Sequence, residues 1–225
     1  MPLNPIQVLT QVPLFAGLPD GDLRAFAPLL RERRFPKGSV ILMQGDPGDA
    51  LYLIATGQVK VVLIGEDGRE VILSVLGPGS FFGDMSLIDD QPRSAHVVAM
   101  EEATLLQLRR DDFQARLRAS PDVAISLLRE LSRRLRRADD TIGSLALRDV
   151  NGRIAHLLME LADDEGGDRI TRRLTHATLA QMVGASRETV SRTLRILVTS
   201  GVIRMNRREI LILEREPLRR AAQQE

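Results

Sequence analysis

The sequence predicts an α+β chain made of three segments, and three observations carry that reading. From Phe35 to about Leu108, short β-rich runs are cut by glycine turns. From Pro121 to Asp149 a single helical pattern carries a narrow apolar stripe. Beyond it, two helices on a tight glycine turn precede a hairpin. At 225 residues the chain is long enough for more than one core. The expected division is 1–120, 121–147 and 148–225.

In the first segment the punctuation falls at Pro36-Lys37-Gly38, Gly45-Asp46-Pro47-Gly48, Gly57, Gly65-Glu66-Asp67-Gly68 and Gly77-Pro78-Gly79. Between these lie Val40–Met43, Ala50–Ile54, Val59–Ile64 and Val71–Leu76. Such spacing predicts a small barrel or sandwich. Residues 5–34 read as helical, with Asp20 as N-cap for Asp22–Leu30.

The long helix places Leu128, Leu131, Leu135, Ala138, Ile142 and Leu145 at steps of 3, 4, 3, 4 and 3. That is the a/d seam of a coiled coil, with Arg133, Arg134, Arg136, Arg137, Asp139 and Asp140 on the other faces. The alternative is an amphipathic helix lying on its own domain, which shows a wider apolar face. The narrow stripe favours self-association as a homodimer.

In the last segment, Asp149 caps a helix through about Ala162, and Asp163–Asp168 is a polar loop. Thr175–Val183 and Ser186–Thr199 read as two helices separated by Gly184-Ala185. The runs 202–205 and 210–213 then form a hairpin, giving a winged helix-turn-helix. On the second helix, Arg187, Glu188, Ser191 and Arg192 project from one side, while Val190, Leu194 and Leu197 face inward. In a major groove an arginine can fork onto guanine and a glutamate can accept from cytosine. The plainer reading is a solvated face with an i,i+4 charge pair. The position, after Gly-Ala-Ser and before a hairpin, favours DNA reading.

Composition narrows the function further. The chain is 44% hydrophobic and 27% charged, as globular proteins are. It has no cysteine, so disulfides, iron–sulfur clusters and cysteine nucleophiles are excluded. His96, His156 and His176 lie far apart and make no metal-ligand pattern. No P-loop or nucleophile–base pair marks a catalytic site, so an enzyme is not expected. No apolar run approaches the ~20 residues of a membrane span, and Met1-Pro2 opens no signal peptide. A cytoplasmic location without membrane contact is expected.

At Val183-Gly184-Ala185-Ser186-Arg187-Glu188-Thr189-Val190-Ser191-Arg192 the chain resembles the cyclic-AMP receptor protein/fumarate-nitrate reduction regulator (CRP/FNR) family of bacterial transcription factors. The resemblance covers about residues 10–215. It implies an N-terminal cyclic-nucleotide-binding-type β-roll, a long dimerisation helix and a C-terminal winged helix-turn-helix. By that resemblance Arg187, Glu188 and Arg192 read bases, and Thr175, Ser186 and Thr189 hold phosphates. The Arg-Glu-x-x-x-Arg trio resembles the branch that reads TGTGA-like half-sites, whereas Ser191 matches the branch that reads TTGAT-like ones. Arg187 favours a G at the outer position of the half-site. The implied partners are a palindromic double-stranded DNA operator, a second copy of the chain and RNA polymerase.

Phe81–Leu87, a loop, and Arg93-Ser94-Ala95 resemble that family's phosphate-binding cassette. The chemistry also stands on the residues. Gly83 lets the backbone approach an anion, Arg93 offers bidentate charge, Ser94 adds a hydroxyl and Asp84 can accept from a ribose hydroxyl. The alternative is a tight turn with Arg93 salt-bridged to Asp84, Asp89 or Asp90.

Two departures bear on the ligand. The resemblance leads to Glu where this chain has Asp84, and to an adenine-contacting Thr-Ser pair where it has Ala138-Asp139. Ala138 has no hydroxyl, while Asp139 can accept from a base amine. Ser74 remains available to a base. The expected effector is cyclic AMP (cAMP) or cyclic GMP (cGMP), bound between the β-roll and the dimer helix. Cyclic di-GMP or no ligand are the alternatives. A cyclic-nucleotide-binding module serving an enzyme or channel would leave 148–225 unexplained.

Net charge is +1, which by itself argues weakly against a nucleic-acid partner. Residues 1–147 carry 17 basic and 19 acidic side chains, net −2, and 148–225 carry 14 and 11, net +3. Arg172, Arg173, Arg187, Arg192, Arg195, Arg204, Arg207 and Arg208 are placed where a groove would be met. The near-zero total thus conceals a basic module joined to an acidic one.

Overall fold

The structure, a computed structural model, describes residues 3–172, 174–206 and 209–223. It divides into two compact units, Met1–Arg134 and Leu135–Glu225.

The first unit opens with helices α1 (Pro5–Gln11) and α2 (Asp20–Phe26) and a 3₁₀ turn over Ala27–Leu29. Asn4 caps α1 by accepting from the Ile6 amide, and Pro5 takes the first position, where no amide is needed. Two expectations fail here. Asp20 is not the N-cap of α2; it is the first helical residue, preceded by Pro19 with no side-chain cap. The helical reading of 5–34 also overran its end, because Arg31–Phe35 is strand β1. That strand pairs with the 103–109 strand from Arg31↔Gln107 to Phe35↔Ala103. Backbone pairing at a sheet edge orders it, and its four exposed charged residues carry no apolar period to reveal it.

The remaining strands are β2 (Val40–Leu42), β3 (Ala50–Thr56), β4 (Val59–Ile64), β5 (Glu70–Leu76), β6 (Phe81–Phe82), β7 (His96–Ala99) and β8 (Ala103–Arg109). The short helix α3 (Met85–Ile88) lies between β6 and β7. Two antiparallel four-stranded sheets result, ordered β1-β8-β3-β6 and β2-β7-β4-β5. Strand β3 explains why its sequence is apolar throughout rather than alternating. Ala50, Tyr52 and Ile54 join a cluster with Val59, Phe82, Val97 and Leu105. Leu51 and Leu53 join another with Leu9, Phe15 and Phe26 of the N-terminal segment. Both faces of the strand are therefore buried.

Helix α4 (Arg110–Ala119) follows, and Pro121 starts α5 (Pro121–Leu147). Phe113, Val123 and Leu127 are buried with the N-terminal cluster. Leu131, one of the expected seam residues, is partly buried against the same cluster. Leu128, Leu135 and Ile142, seven residues apart, are 62%, 63% and 64% exposed. Ala138 and Leu145 are exposed too.

In the second unit, α6 (Val150–Asp164) is capped by Asp149, whose carboxylate accepts from the Gly152 amide. Then come β9 (Arg169–Ile170), α7 (His176–Val183), α8 (Arg187–Thr199), β10 (Ile203–Met205), β11 (Ile210–Ile212) and α9 (Arg215–Ala222). The sheet runs β10-β11-β9, so the expected hairpin gains a third strand. The core gathers Ile154, Leu158 and Leu161 of α6, Leu179 and Val183 of α7, Val190 and Leu194 of α8, and Leu218 of α9.

Candidate functional site

The cassette is built on one inward-pointing arginine. Arg93 is 4% exposed. Its Nη1 donates to the Gly83 carbonyl at 2.7 Å and to Ser86 Oγ at 2.8 Å. Its Nη2 donates to the Ala50 carbonyl at 2.8 Å and to Asp49 Oδ1 at 3.3 Å. The backbone is strapped as well: the Arg93 amide donates to the Asp46 carbonyl, and its own carbonyl accepts from the Gly45 amide. The carboxylate partner of Arg93 is therefore Asp49, and the expected alternatives are spent elsewhere. Asp84 pairs with Arg134, Asp90 pairs with Arg110, and Asp89 accepts from the Gln91 amide. Burial pulls the Arg93 guanidinium below its ordinary pKa, and Asp49 opposes that shift. A guanidinium remains cationic regardless.

Gly83 must be glycine here. Its φ is +84°, and a Cβ would lie 2.9 Å from Arg93 Nη1 and 3.0 Å from the Ala50 carbonyl oxygen. Arg110 supports the same loops, donating to the carbonyls of Gly48 at 2.9 Å and Ser86 at 2.6 Å.

Asp84, which directly follows Gly83, is 1% exposed. Its Oδ1 accepts from Arg134 Nη1 of α5 at 3.0 Å. Arg134 also donates to the Phe81 carbonyl at 3.0 Å and to Glu130 at 3.2 Å, and its guanidinium lies 4.4 Å from the centre of the Phe81 ring. Two buried polar atoms of the cassette have no hydrogen-bond partner: Asp84 Oδ2 and Arg93 Nε. Buried polar groups in folded proteins are nearly always paired, so both atoms have hydrogen-bonding capacity left over; Arg153 Nε of α6 is a third such atom, in the second unit.

The other expected ligand residues are less enclosed. Ser94 is exposed, with Oγ 3.9 Å from Met85 Sδ. Ser74 is half-buried on β5, and Asp139 is exposed on α5. Asp49, Ser86, Arg110 and Arg134 were not among the expected residues. The helical period puts Arg134 among the charged positions around the seam; only the tertiary structure brings it to Asp84.

The helix-turn-helix forms as its capping signals predict. Thr175 accepts from the Thr178 amide and Ser186 from the Thr189 amide, at 3.0 and 3.1 Å. Gly184 closes α7 in the left-handed region at φ +63°. Val190 and Leu194 are buried, and Thr193 Oγ1 donates to Asn151 Oδ1 at 2.7 Å, fixing α8 to α6. Arg187, Glu188, Arg192 and Arg195 are left exposed; Thr189 and Ser191 are half-buried. Among the described residues no ion pair joins Glu188 to Arg192. Hydrogen bonding to its own amide and to Ser186 holds the Glu188 carboxyl below its usual pKa, so it is an acceptor at neutral pH.

Of the other arginines expected near a groove, Arg204 is exposed. Arg172 is engaged by Asp164 and Glu165. Arg173, Arg207 and Arg208 lie outside the described residues. Among the described residues no cluster of His, Cys, Asp and Glu could hold a metal ion, and no helix is long and apolar enough to cross a membrane.

A β-roll with an arginine-centred cassette, then a long helix, then a winged helix-turn-helix, is the element order of a sensory domain followed by a DNA-binding one. Comparison with known proteins agrees. Residues 32–120 match the cyclic nucleotide-binding domain, and residues 152–221 the Crp-like helix-turn-helix domain. The chain is 36% identical over 221 residues to a CRP-like cAMP-activated global transcriptional regulator of Mycobacterium tuberculosis, covering 96% of this chain and 99% of that one. It is similar to the solved catabolite activator protein of Thermus thermophilus, at 39% identity, a TM-score of 0.56, and coverage of 93% and 98%. It is also similar to the c-di-GMP-responsive global regulator CLP of Xanthomonas campestris, at 25% identity, a TM-score of 0.72, and coverage of 86% and 99%. The chain belongs to the CRP/FNR family of transcription regulators. It is a DNA-binding regulator and not an enzyme.

Proposed function

We propose that this regulator works as a homodimer gated by cyclic AMP or cyclic GMP, with 1–120 as sensor, 121–147 as dimer helix and 148–225 as DNA-binding module. The observation that carries the ligand class is the pair of buried, unpartnered atoms in one cassette, Arg93 Nε and Asp84 Oδ2. A cyclic phosphate would take a donor from Arg93, and a ribose hydroxyl would donate to Asp84. Ser94 would add a hydroxyl to the phosphate, and Ser74 would face the base. A ribose at Asp84 would alter the bond that Arg134 of α5 makes there, which links ligand to the dimer helix. The M. tuberculosis relative supports cyclic AMP. The resemblance to CLP supports a second reading, cyclic di-GMP.

The DNA partner is a palindromic operator with half-sites about 34 Å apart, matching one turn of the double helix. Arg187, Glu188 and Arg192 would read TGTGA-like bases, and the capping residues Thr175, Ser186 and Thr189 would meet phosphates. RNA polymerase is the further partner, in the cytoplasm. Calorimetric titration of the three nucleotides, run beside operator-binding assays, tests the gate: the correct nucleotide binds and raises operator affinity. Binding by none of them, with operator affinity already full, would leave a ligand-independent regulator. Arg187→Ala should abolish specific binding and leave the dimer intact.

A further inference from the structure

His176, the first residue of α7, and Ser191, on the second turn of α8, meet with Nδ1 and Oγ 3.2 Å apart. Both side chains are half-buried. Ser191 follows Arg187 by four residues and Glu188 by three, and it directly precedes Arg192, so it belongs to the face of α8 that carries those exposed side chains. A serine hydroxyl has one proton and two lone pairs and normally rotates to suit its surroundings. For that reason serine can meet either a donor or an acceptor on a base edge.

The imidazole restricts that freedom. With the neutral ring's proton on Nε2, Ser191 donates its only proton to Nδ1 and offers a base lone pairs alone. With the proton on Nδ1, Ser191 accepts and keeps its own proton to give. In either state Oγ is held in one position; in the first it can only accept from a base, and in the second one of its lone pairs is already used, where a free serine would adapt to several bases.

We propose that His176 is a specificity-determining positioning residue for DNA reading, which fixes the rotamer of Ser191 and restricts its hydrogen bonding toward one base pair of each half-site. The inference rests on α8 being the base-reading helix. It adds a residue from the other helix of the pair, one whose own chain neighbours give no sign of a role in base choice.

The test uses the full-length chain in excess cyclic AMP. A preferred operator is selected from random DNA, and affinities are then measured for every single-base-pair change in it. Ser191→Ala identifies the base pair that Ser191 reads. His176→Ala should relax the preference at that same pair about three- to tenfold, the size of one hydrogen bond, and leave the other positions unchanged. In a Ser191→Ala background it should add nothing. His176→Gln, whose amide reaches the same hydroxyl, should retain the preference, and it keeps the test open should the alanine variant not fold. An equal loss on every operator with a shallower salt dependence would make His176 a phosphate contact and overturn the proposal. So would a His176→Ala effect that persists without Ser191. An unchanged base preference in Arg187→Ala would instead overturn the assignment of α8 itself.

Discussion

Arg134 of α5 binds Asp84 of the cassette through one carboxylate oxygen and leaves the other, Oδ2, buried without a partner. A carboxyl half-paired in this way is shielded from water, and its second oxygen is still able to accept a hydrogen bond. In the proposed function that oxygen accepts from a ribose hydroxyl while Arg93 meets the phosphate.

Asp84→Ala should lower cyclic-nucleotide affinity about tenfold or more, since a hydrogen bond to a charged acceptor is worth about 1.5–3 kcal/mol. Arg134→Ala frees Oδ1 but leaves a buried charge without its partner. It should therefore lower thermal stability as well as change ligand affinity. Calorimetry for binding and scanning calorimetry for stability check the pair.

Arg93→Ala removes four hydrogen bonds at once, among them the one to the carbonyl of Ala50 in the buried interior. Loss of measurable nucleotide binding is expected, with destabilisation of about 1–3 kcal/mol for a buried group left unpaired. Chemical denaturation followed by fluorescence-detected or calorimetric titration distinguishes the two effects. Arg93→Lys should recover part of the stability and little of the binding, because an ammonium cannot reproduce the guanidinium fork.

Leu135→Glu places a charge in the middle of the exposed apolar stripe between Leu128 and Ile142. The variant should fold, since Leu135 is not part of either core, and should sediment as a monomer. Operator affinity should fall steeply in parallel, because a single half-site is then held by one α8. Analytical ultracentrifugation and gel-shift titration measure both.

Glu160 supplies a pH prediction. Burial, and after it the nearby Asp164, raise its pKa in the folded protein. The folded state then holds the proton more tightly than the unfolded chain. Stability from this group is present below the unfolded pKa and is lost as pH rises through the higher folded one. Glu160→Gln mimics the protonated form at every pH, so its Tm advantage over the native chain should grow from pH 4 to pH 7. A constant difference across that range would show that the carboxyl does not titrate as stated.

Much of the second unit was legible because its signals are local. Asp149, Thr175 and Ser186 announce helix starts, Gly184 a left-handed stop, and the Val190/Leu194 spacing an inward face; each needs only a few neighbouring residues. Strand β1 and helices α4 and α9 were not legible. Arg31–Phe35 has no apolar alternation, and its order comes from a partner strand some seventy residues away. In the cassette Gly83, Asp84 and Arg93 were readable as a pattern. Their partners were not: Asp49 is 44 residues from Arg93, and Arg134 is 50 from Asp84.

The sequence by itself determined the order of modules, the seam spacing on α5, the capping of the helix pair and the residue types that face a groove. Periodicity and capping are properties of the backbone over one or two turns, and they survive without tertiary context. The tertiary structure alone decided which carboxylate holds Arg93, which arginine holds Asp84, and that His176 reaches Ser191. Those are meetings of side chains from separate elements, set by how sheets and helices pack. They also decide which polar atoms stay unpaired, and so where a ligand or a base can be bound.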